Sequence, residues 1–366
     1  MTLRRAATVH RAPVPAAAAP SAQVSGGARG GRAGPAARGR GSRAEAGPPR
    51  TLGGVRNVLA ALGETGRRAE RLVAGSPLAR GLLRRYVAGP DAADAVVAAG
   101  ELAAAGLPVT IEYLGECAAA GGGPRPAGAA DRGAGGARAT GAAAVRRRAE
   151  RTVAEYLRLL DLLAARGLAR GADLLVDAGA LGLPADERRA LDGAARLCAA
   201  ARDAGATVTL DLAEGRVPAE RLIALHAELI KEHPDAGVTV PACLRAAEEH
   251  CRLLTDRRVR LRKGVPGGPA DLVHRGGHAV DRSFVRCLRV LMAGRGHVTV
   301  ATHDGRMIEI ASVLATLNER EPGDCEFELP YGVRAAEQRR LRGLGAAVRV
   351  HVPYGTAWYG YLLRRL

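Results

Sequence analysis

Lysine is almost absent from this chain, and aromatic residues are scarce. Of the 54 basic residues only Lys231 and Lys263 are lysines, and aromatics make up 3% of the sequence. No apolar run approaches the roughly 20 residues of a transmembrane helix. Prolines and scattered alanines follow Arg4 and Arg5, which argues against a cleaved signal peptide. We therefore expect a cytoplasmic protein.

The cysteines show neither a metal-binding nor a disulfide pattern. No two of them have the C-x-x-C spacing of zinc sites and redox motifs, and they fall within apparent strands and helices. We therefore expect reduced, mostly buried thiols and no metal site. The six residues are Cys117, Cys198, Cys243, Cys251, Cys287 and Cys325.

A net charge of +17 would suggest a nucleic-acid partner, but the charge is concentrated in two segments. Residues 1–50 contain nine arginines and one acid, and residues 117–148 contain six arginines and one acid, so together they carry 13 of the 17 charges. Both are rich in Gly, Ala and Pro and cannot build a core. We expect both to be disordered and the folded part to have no specific nucleic-acid partner.

From about residue 105 the chain repeats one unit, in which an apolar or β-branched run is followed by a polar turn and a stretch of helical period. The amphipathic stretches include 150–168 and 304–319. The strand-like runs are 108–116, 172–179, 206–214, 237–243, 258–264, 297–304, 325–332 and 346–355.

Eight such units predict an α/β fold of the (β/α)8 barrel type over 105–366, interrupted by the insertion at 117–148. The alternative is a doubly wound open sheet. That fold would normally carry G-x-G-x-x-G after its first strand, and YLGECAAAGGGP (113–124) lacks this motif. Residues 51–104 are predicted to form a preceding helical segment.

Polar side chains gather where the predicted strands end. Active sites of such barrels lie at the rim formed by the C-terminal ends of the strands. Solvated strand ends would explain any one of these residues, but their number at one rim favours a pocket. They are Glu112, Glu116, Asp177, Asp211, Lys263, His303, Glu328 and His351.

Lys263 is placed at such a strand end, in VRLRKG (259–264), where an arginine would have served as a generic charge. A compact ammonium at this point suggests a specific local role. Arg260, three residues earlier, points to the opposite face of the strand, or neighbours Lys263 if the strand has already ended.

The segment HVPYGTAWYGYLLRRL (351–366) ends on two adjacent arginines, Arg364 and Arg365. One interpretation is a solvated helix end, where cations are favourable. The other is a clamp for a carboxylate, which paired guanidinium groups bind with directed hydrogen bonds. A helix after the eighth strand could fold over the rim of the barrel, where a clamp would be useful.

Several motifs together resemble the flavin-dependent proline dehydrogenases, especially the short monofunctional bacterial type. They are RYVAGPDAADAVVAAGELAAAGLPVTIEYLGE (85–116), VRLRKG (259–264), VATHD (300–304), EFELPYG (326–332) and VPYGTAWYGYLLRRL (352–366). The resemblance runs from about residue 70 to the end, apart from the insertion. It implies a distorted barrel that holds FAD non-covalently.

The same resemblance implies an activity. L-Proline would lose a hydride to the flavin N5 and become Δ1-pyrroline-5-carboxylate, and the electrons would pass to a membrane quinone. Cations beside the flavin suit such an acceptor, because it gains negative charge as it is reduced. Localisation would be cytoplasmic, with peripheral association with the inner face of the membrane.

The resemblance also implies roles for particular residues. The catalytic residues would be Arg260, Lys263 and Asp211. Tyr361 would shape the substrate pocket, with Arg364 and Arg365 holding the proline carboxylate. The FAD-binding residues would be Arg260, Lys263, Gly264, Thr302, His303 and Glu328.

Four positions depart from the family pattern. Asp177 stands where the family has a lysine, Pro241 and Cys243 replace a glutamine and a tyrosine, and His351 stands where a tyrosine is expected. They keep a second hypothesis open: a catalytically impaired or substrate-shifted paralogue that uses the barrel to bind flavin or another small molecule.

Overall fold

The computed structural model describes residues 84–115, 134–183, 185–212, 218–264, 269–321, 323–358 and 361–362. Eight parallel strands follow one another in chain order around a closed barrel, which confirms the predicted (β/α)8 fold and excludes the open sheet. The strands are β1 (Val109–Tyr113), β2 (Asp173–Asp177), β3 (Thr207–Asp211), β4 (Gly237–Pro241), β5 (Val259–Arg262), β6 (Val298–Ala301), β7 (Cys325–Pro330) and β8 (Ala347–Tyr354).

In the described part of the chain, residues 84–86 are helical, a named helix precedes β1, and one named helix follows each of the strands β1 to β7. They are α1 (Ala92–Ala104), α2 (Ala134–Ala164), α3 (Glu187–Ala204), α4 (Ala219–Leu229), α5 (Ala247–Leu253), α6 (Gly277–Met292), α7 (Gly305–Leu317) and α8 (Ala335–Gly343). None of these described helices is long and apolar enough to cross a membrane.

The start of α2 corrects one prediction. We expected 117–148 to be disordered, but the helix begins at Ala134, so 134–148 is helical. Alanine and arginine have high helix propensity, and they extend the amphipathic helix beyond its packed part, with 141–148 exposed or half-buried. Residues 1–50 and 117–133 lie outside the described residues. Of the predicted helical segment 51–104, the described part begins at 84 and contains α1.

Strand alternation determines which side chains face the helices. Apolar residues such as Ile111, Leu174 and Val300 are fully buried in the layer between the strands and the helices. Their neighbours of the other parity face the barrel axis, as shown by contacts between strands that are not adjacent, including Arg260 on β5 with Glu328 on β7.

The barrel interior is therefore polar, whereas most (β/α)8 barrels fill it with Val, Ile and Leu. The strand pairing sets residues of the same parity side by side around the whole barrel. On β3, β7 and β8 the inward residues are Thr207, Thr209, Asp211, Glu326, Glu328, Pro330, Ala347, Arg349, His351 and Pro353.

A buried charged network closes the N-terminal end of the barrel. Glu326 accepts hydrogen bonds from Arg349 Nε (2.9 Å) and Thr299 Oγ1 (2.8 Å). Arg258 Nη2 lies 3.4 Å from Asp173 Oδ1, so each carboxylate faces a guanidinium group. Burial alone would raise the pKa of Glu326, but Arg349, Arg258 and the other groups around it together outweigh burial and lower the pKa. This end is filled, which leaves the opposite rim for a site.

Candidate active site

A buried ion pair lies at the centre of the C-terminal half of the barrel. Arg260 Nε donates to Glu328 Oε1 (3.0 Å) and Oε2 (3.2 Å), and Arg260 Nη2 donates to Oε1 (2.5 Å). The two residues are 4% and 3% exposed. Burial alone would raise the pKa of Glu328, but the charge and hydrogen bonds of Arg260, together with neighbouring His351 and Thr110, lower it to about 2. Glu328 therefore fixes the guanidinium group of Arg260 in one orientation.

Asp211, at the end of β3, connects this pair to a second arginine. Its Oδ2 lies 3.7 Å from Arg260 Nη1, and its Oδ1 lies 3.5 Å from Arg262 Nε. Arg262 Nη2 also donates to the carbonyl oxygen of Leu212 (3.0 Å). This position suits the organising role that the family resemblance implied for Asp211.

Lys263 lies one residue beyond the end of β5, and its partners differ from those of Arg260. Its Nζ donates to Asp281 Oδ1 (2.6 Å) on α6 and to Asp304 Oδ2 (2.7 Å) at the start of α7. Burial alone would lower the pKa of Lys263, but these hydrogen bonds outweigh it and raise the pKa. Lys263 remains charged and ties the rim of β5 to the beginnings of two helices.

Gly264 follows with a backbone conformation that favours glycine, at φ +75°. A Cβ at this position would lie 2.6 Å from Cys243 Sγ. The N–H of Cys243 donates to the carbonyl oxygen of Lys263 (2.8 Å), so the ends of β4 and β5 are held together here. The departures at Pro241 and Cys243 are thus part of a close contact beside the predicted cofactor residues.

Thr302 and His303 lie at the end of β6. Thr302 is buried, and its Oγ1 accepts a hydrogen bond from the N–H of Asp304 (3.2 Å). His303 is exposed, and its carbonyl oxygen accepts from Arg334 Nη1 (2.6 Å). Asp304 then caps α7 by accepting from the N–H of Arg306 (3.0 Å).

Tyr361, in the segment after β8, lies close to His351. It is buried, and it packs in a small apolar cluster with Val87, Leu114 and Leu362. The centroid of its ring lies 6.1 Å from that of His351, in an edge-on arrangement. His351 Nε2 in turn lies 2.9 Å from Glu112 Oε2 across the seam between β8 and β1.

Some predicted residues cannot be placed or have ordinary local contacts. Arg364, Arg365 and Glu116 lie outside the described residues. Asp177 ends β2, and its Oδ1 accepts a hydrogen bond from the N–H of Gly179 (2.9 Å), as in an Asx turn. The carboxylate therefore helps to shape the loop that follows β2.

The sequence analysis missed two features of this rim. Asp281 lies on the N-terminal part of a surface helix, where acidic residues are common, so nothing in the sequence marked it as a partner of Lys263. Glu112 and His351 were recognised as strand-end residues but received no joint role. Strand alternation could have indicated that they meet, because both residues occupy inward positions on strands that pair with each other.

Comparison with known proteins agrees with this architecture. The family model described as proline dehydrogenase matches residues 138–366. Proline dehydrogenase 1 of Bacillus subtilis (strain 168) is 26% identical over 285 residues, which cover 77% of this chain and 85% of that protein. The proline dehydrogenase of Deinococcus radiodurans is 29% identical over 181 residues, which cover 48% of this chain and 58% of that protein.

Solved structures share the barrel. Proline utilization A (PutA) from Bdellovibrio bacteriovorus, inactivated by N-propargylglycine, superposes with a TM-score of 0.64 at 17% identity over 78% of this chain. The match spans only 32% of that longer protein, and at this identity the likeness concerns the fold alone. The family model, in contrast, covers more than half of the sequence. The chain belongs to the proline dehydrogenase family.

Proposed function

We propose that this protein oxidises L-proline to Δ1-pyrroline-5-carboxylate with FAD and passes the electrons to a quinone. Membership of the family and the curated relatives named proline dehydrogenase support this proposal. When bound, the flavin supplies the oxidant, which accepts a hydride from the ring carbon next to nitrogen. The chain supplies the groups that bind, orient and deprotonate the substrate.

The observation that carries the proposal is the position of Tyr361. Its buried ring lies against His351 inside the rim, so the segment after β8 contributes to the mouth of the barrel. Arg364 and Arg365 follow within four residues of Tyr361 along the chain. This supports their role as a carboxylate clamp instead of a solvated helix end.

The charges at the rim support the same assignment. Arg260 is engaged with Glu328, and Lys263 is engaged with Asp281 and Asp304. Arg262 faces Asp211. These cations have carboxylate partners already, so a substrate carboxylate needs additional positive charge, which Arg364 and Arg365 would provide.

The residues at the rim also fit a flavin. Arg260 Nη1 is buried and donates no hydrogen bond to any described residue, so it can donate to an acceptor on the cofactor. The ammonium group of Lys263 donates two of its three hydrogen bonds to carboxylates, which leaves one N–H for the cofactor. Gly264, Thr302, His303 and Glu328 complete the proposed FAD-binding set, with Glu328 acting by orienting Arg260.

A quinone acceptor implies contact with a membrane, because quinones dissolve in the lipid phase. The nine arginines of residues 1–50 would favour an anionic membrane surface. We place the protein in the cytoplasm, with peripheral association with the inner face of the membrane. No step of the proposal requires nucleic acid.

The test is spectroscopic. The purified protein should show a flavin spectrum, and anaerobic L-proline should bleach it. Arg364→Ala and Arg365→Ala should each raise the KM for proline by one to two orders of magnitude, since a hydrogen bond to a charged group is worth about 1.5–3 kcal/mol. The exposed Arg339→Ala on α8 should leave KM unchanged and serves as the control.

Three results would contradict the proposal. An unaltered KM in both rim variants would exclude the clamp. A flavin spectrum that proline does not bleach would favour the substrate-shifted paralogue, for which the departures Asp177 and His351 are the first residues to revert. A colourless protein that cannot be loaded with FAD would exclude both hypotheses.

A further inference from the structure

One pair of titratable side chains at the rim has no role in the scheme above. His351 Nε2 lies 2.9 Å from Glu112 Oε2. The imidazole is 2% exposed and the carboxylate 23% exposed, so Glu112 reaches the mouth of the barrel and His351 lies behind it. The pair spans the seam between β8 and β1, directly beside the ring of Tyr361.

The other acidic groups at this rim are already committed. Glu328 is held by three hydrogen bonds from Arg260, and its pKa is lowered to about 2. Asp211 faces two guanidinium groups, and Asp177 accepts a hydrogen bond from the backbone of its own loop. Of these carboxylates, that of Glu112 is the one in contact with an imidazole.

His351 lies near two carboxylates. Glu112 approaches it from β1, and the carboxylate of Glu328 on β7 is close enough for the two charges to influence each other. Arg260 on β5 largely neutralises Glu328, whereas Tyr361, from the segment after β8, contributes an uncharged ring. Glu112 is therefore the carboxylate placed to stabilise an imidazolium, at 2.9 Å from His351 Nε2.

We propose that Glu112 and His351 form the acceptor for the proton that the substrate amine must lose. The inference rests on the proposed function. Proline in solution carries two protons on its ring nitrogen, and its lone pair is unavailable until one of them leaves. The pair takes that proton, which ends on an imidazole nitrogen of His351, and its charge changes from −1 to 0.

The electrons and atoms then balance. The freed lone pair of the nitrogen forms the C=N bond as the adjacent carbon loses its hydride to the oxidant already assigned. The product keeps one proton on nitrogen, and the pair holds the other until it returns to water. Glu112 reaches the mouth, where it would contact the substrate ammonium, and its contact with His351 would orient the imidazole.

The experiment follows the anaerobic reduction of the bound flavin by proline in a stopped-flow instrument between pH 6 and pH 10. His351→Gln should keep its FAD content and lower the reduction rate at pH 7 by about 100-fold or more, the usual size of general-base effects. The deficit should shrink as the pH rises, because an increasing fraction of free proline then arrives without the extra proton.

Two further variants make the result specific. Glu112→Gln keeps a polar side chain of the same size at a half-exposed position, and it should show the same pH-dependent deficit with smaller amplitude. His233→Gln changes another buried histidine, in the loop before β4 at the opposite end of the barrel, and should leave the pH profile unchanged. If His351→Gln fails to retain FAD, Glu112→Gln decides.

The outcomes are distinguishable. Suppose that proline bleaches the wild-type flavin. If the variants then show no deficit, or a deficit of constant size across the pH range, this inference is overturned and the proposed function stays intact. A wild-type flavin that proline does not reduce would overturn both.

Discussion

Replacing Glu328 by glutamine should destabilise the protein strongly, because it removes the charge that compensates a buried guanidinium group. Arg260 and Glu328 are both almost completely inaccessible to water and share three hydrogen bonds. Glutamine has nearly the same shape and can still accept from Arg260, so the change isolates the charge. Removing one partner of such a pair typically costs about 3–5 kcal/mol.

The pKa of Glu328 leads to a similar magnitude. It is lowered from 4.5 to about 2, and at about 1.4 kcal/mol per pH unit this corresponds to about 3 kcal/mol of stabilisation. Because the pKa in the folded protein lies below that in the unfolded chain, this stabilisation is complete above about pH 4.5. It is lost as the pH falls toward 2 and the carboxylate becomes protonated.

Urea unfolding at pH 7, followed by circular dichroism, should show this loss of about 3 kcal/mol for Glu328→Gln. The matched control is Glu337→Gln on α8, where Arg340 binds the carboxylate with Nε (2.9 Å) and Nη2 (2.6 Å) at the surface. The control should lose less than about 1 kcal/mol. Equal losses, or a difference that persists unchanged below pH 4, would refute the reasoning.

Two further substitutions test how the rim is held in place. Tyr156→Phe removes the hydroxyl that accepts a hydrogen bond from the N–H of Tyr113 (3.0 Å). The free energy of unfolding, measured in urea, should fall by about 1–3 kcal/mol. An unchanged urea midpoint would mean that water replaces the hydroxyl. Gly264→Ala places a Cβ 2.6 Å from Cys243 Sγ at φ +75° and should lower FAD content and stability, by about 1–3 kcal/mol for the strain. The control Gly276→Ala, at φ +87° with open space around it, should be milder in stability and neutral for FAD.

Much of the fold was predictable because it depends on local periodicity. Most strands alternate apolar and polar residues, as in Val259, Arg260, Leu261 and Arg262 on β5. The apolar residues mark the face toward the helices and the polar ones the face toward the axis. The start of α2 was not predictable from composition, since a Gly/Ala/Arg-rich stretch is compatible with both disorder and a helix that extends into solvent.

The site was predictable in its members but not in its pairings. Strand ends indicated Asp211, Lys263, Glu328 and His351 as residues of one rim, because all parallel strands of a barrel end on the same side. Which carboxylate meets which cation was beyond the sequence. Arg260 and Glu328 are 68 positions apart, and nothing local distinguishes Glu328 from Glu326, which faces the same axis but belongs to the opposite end.

The sequence by itself determined the number and order of the strands, the face that each presents to the helices, and the collection of charges at one rim. Only the closed barrel decided that Arg260 is neutralised inside, that Lys263 turns outward to Asp281 and Asp304, and that His351 meets Glu112. The physical reason is that alternation is a property of neighbouring residues. Charge pairing instead depends on the stagger of strands around a closed ring, which arises when β8 pairs with β1.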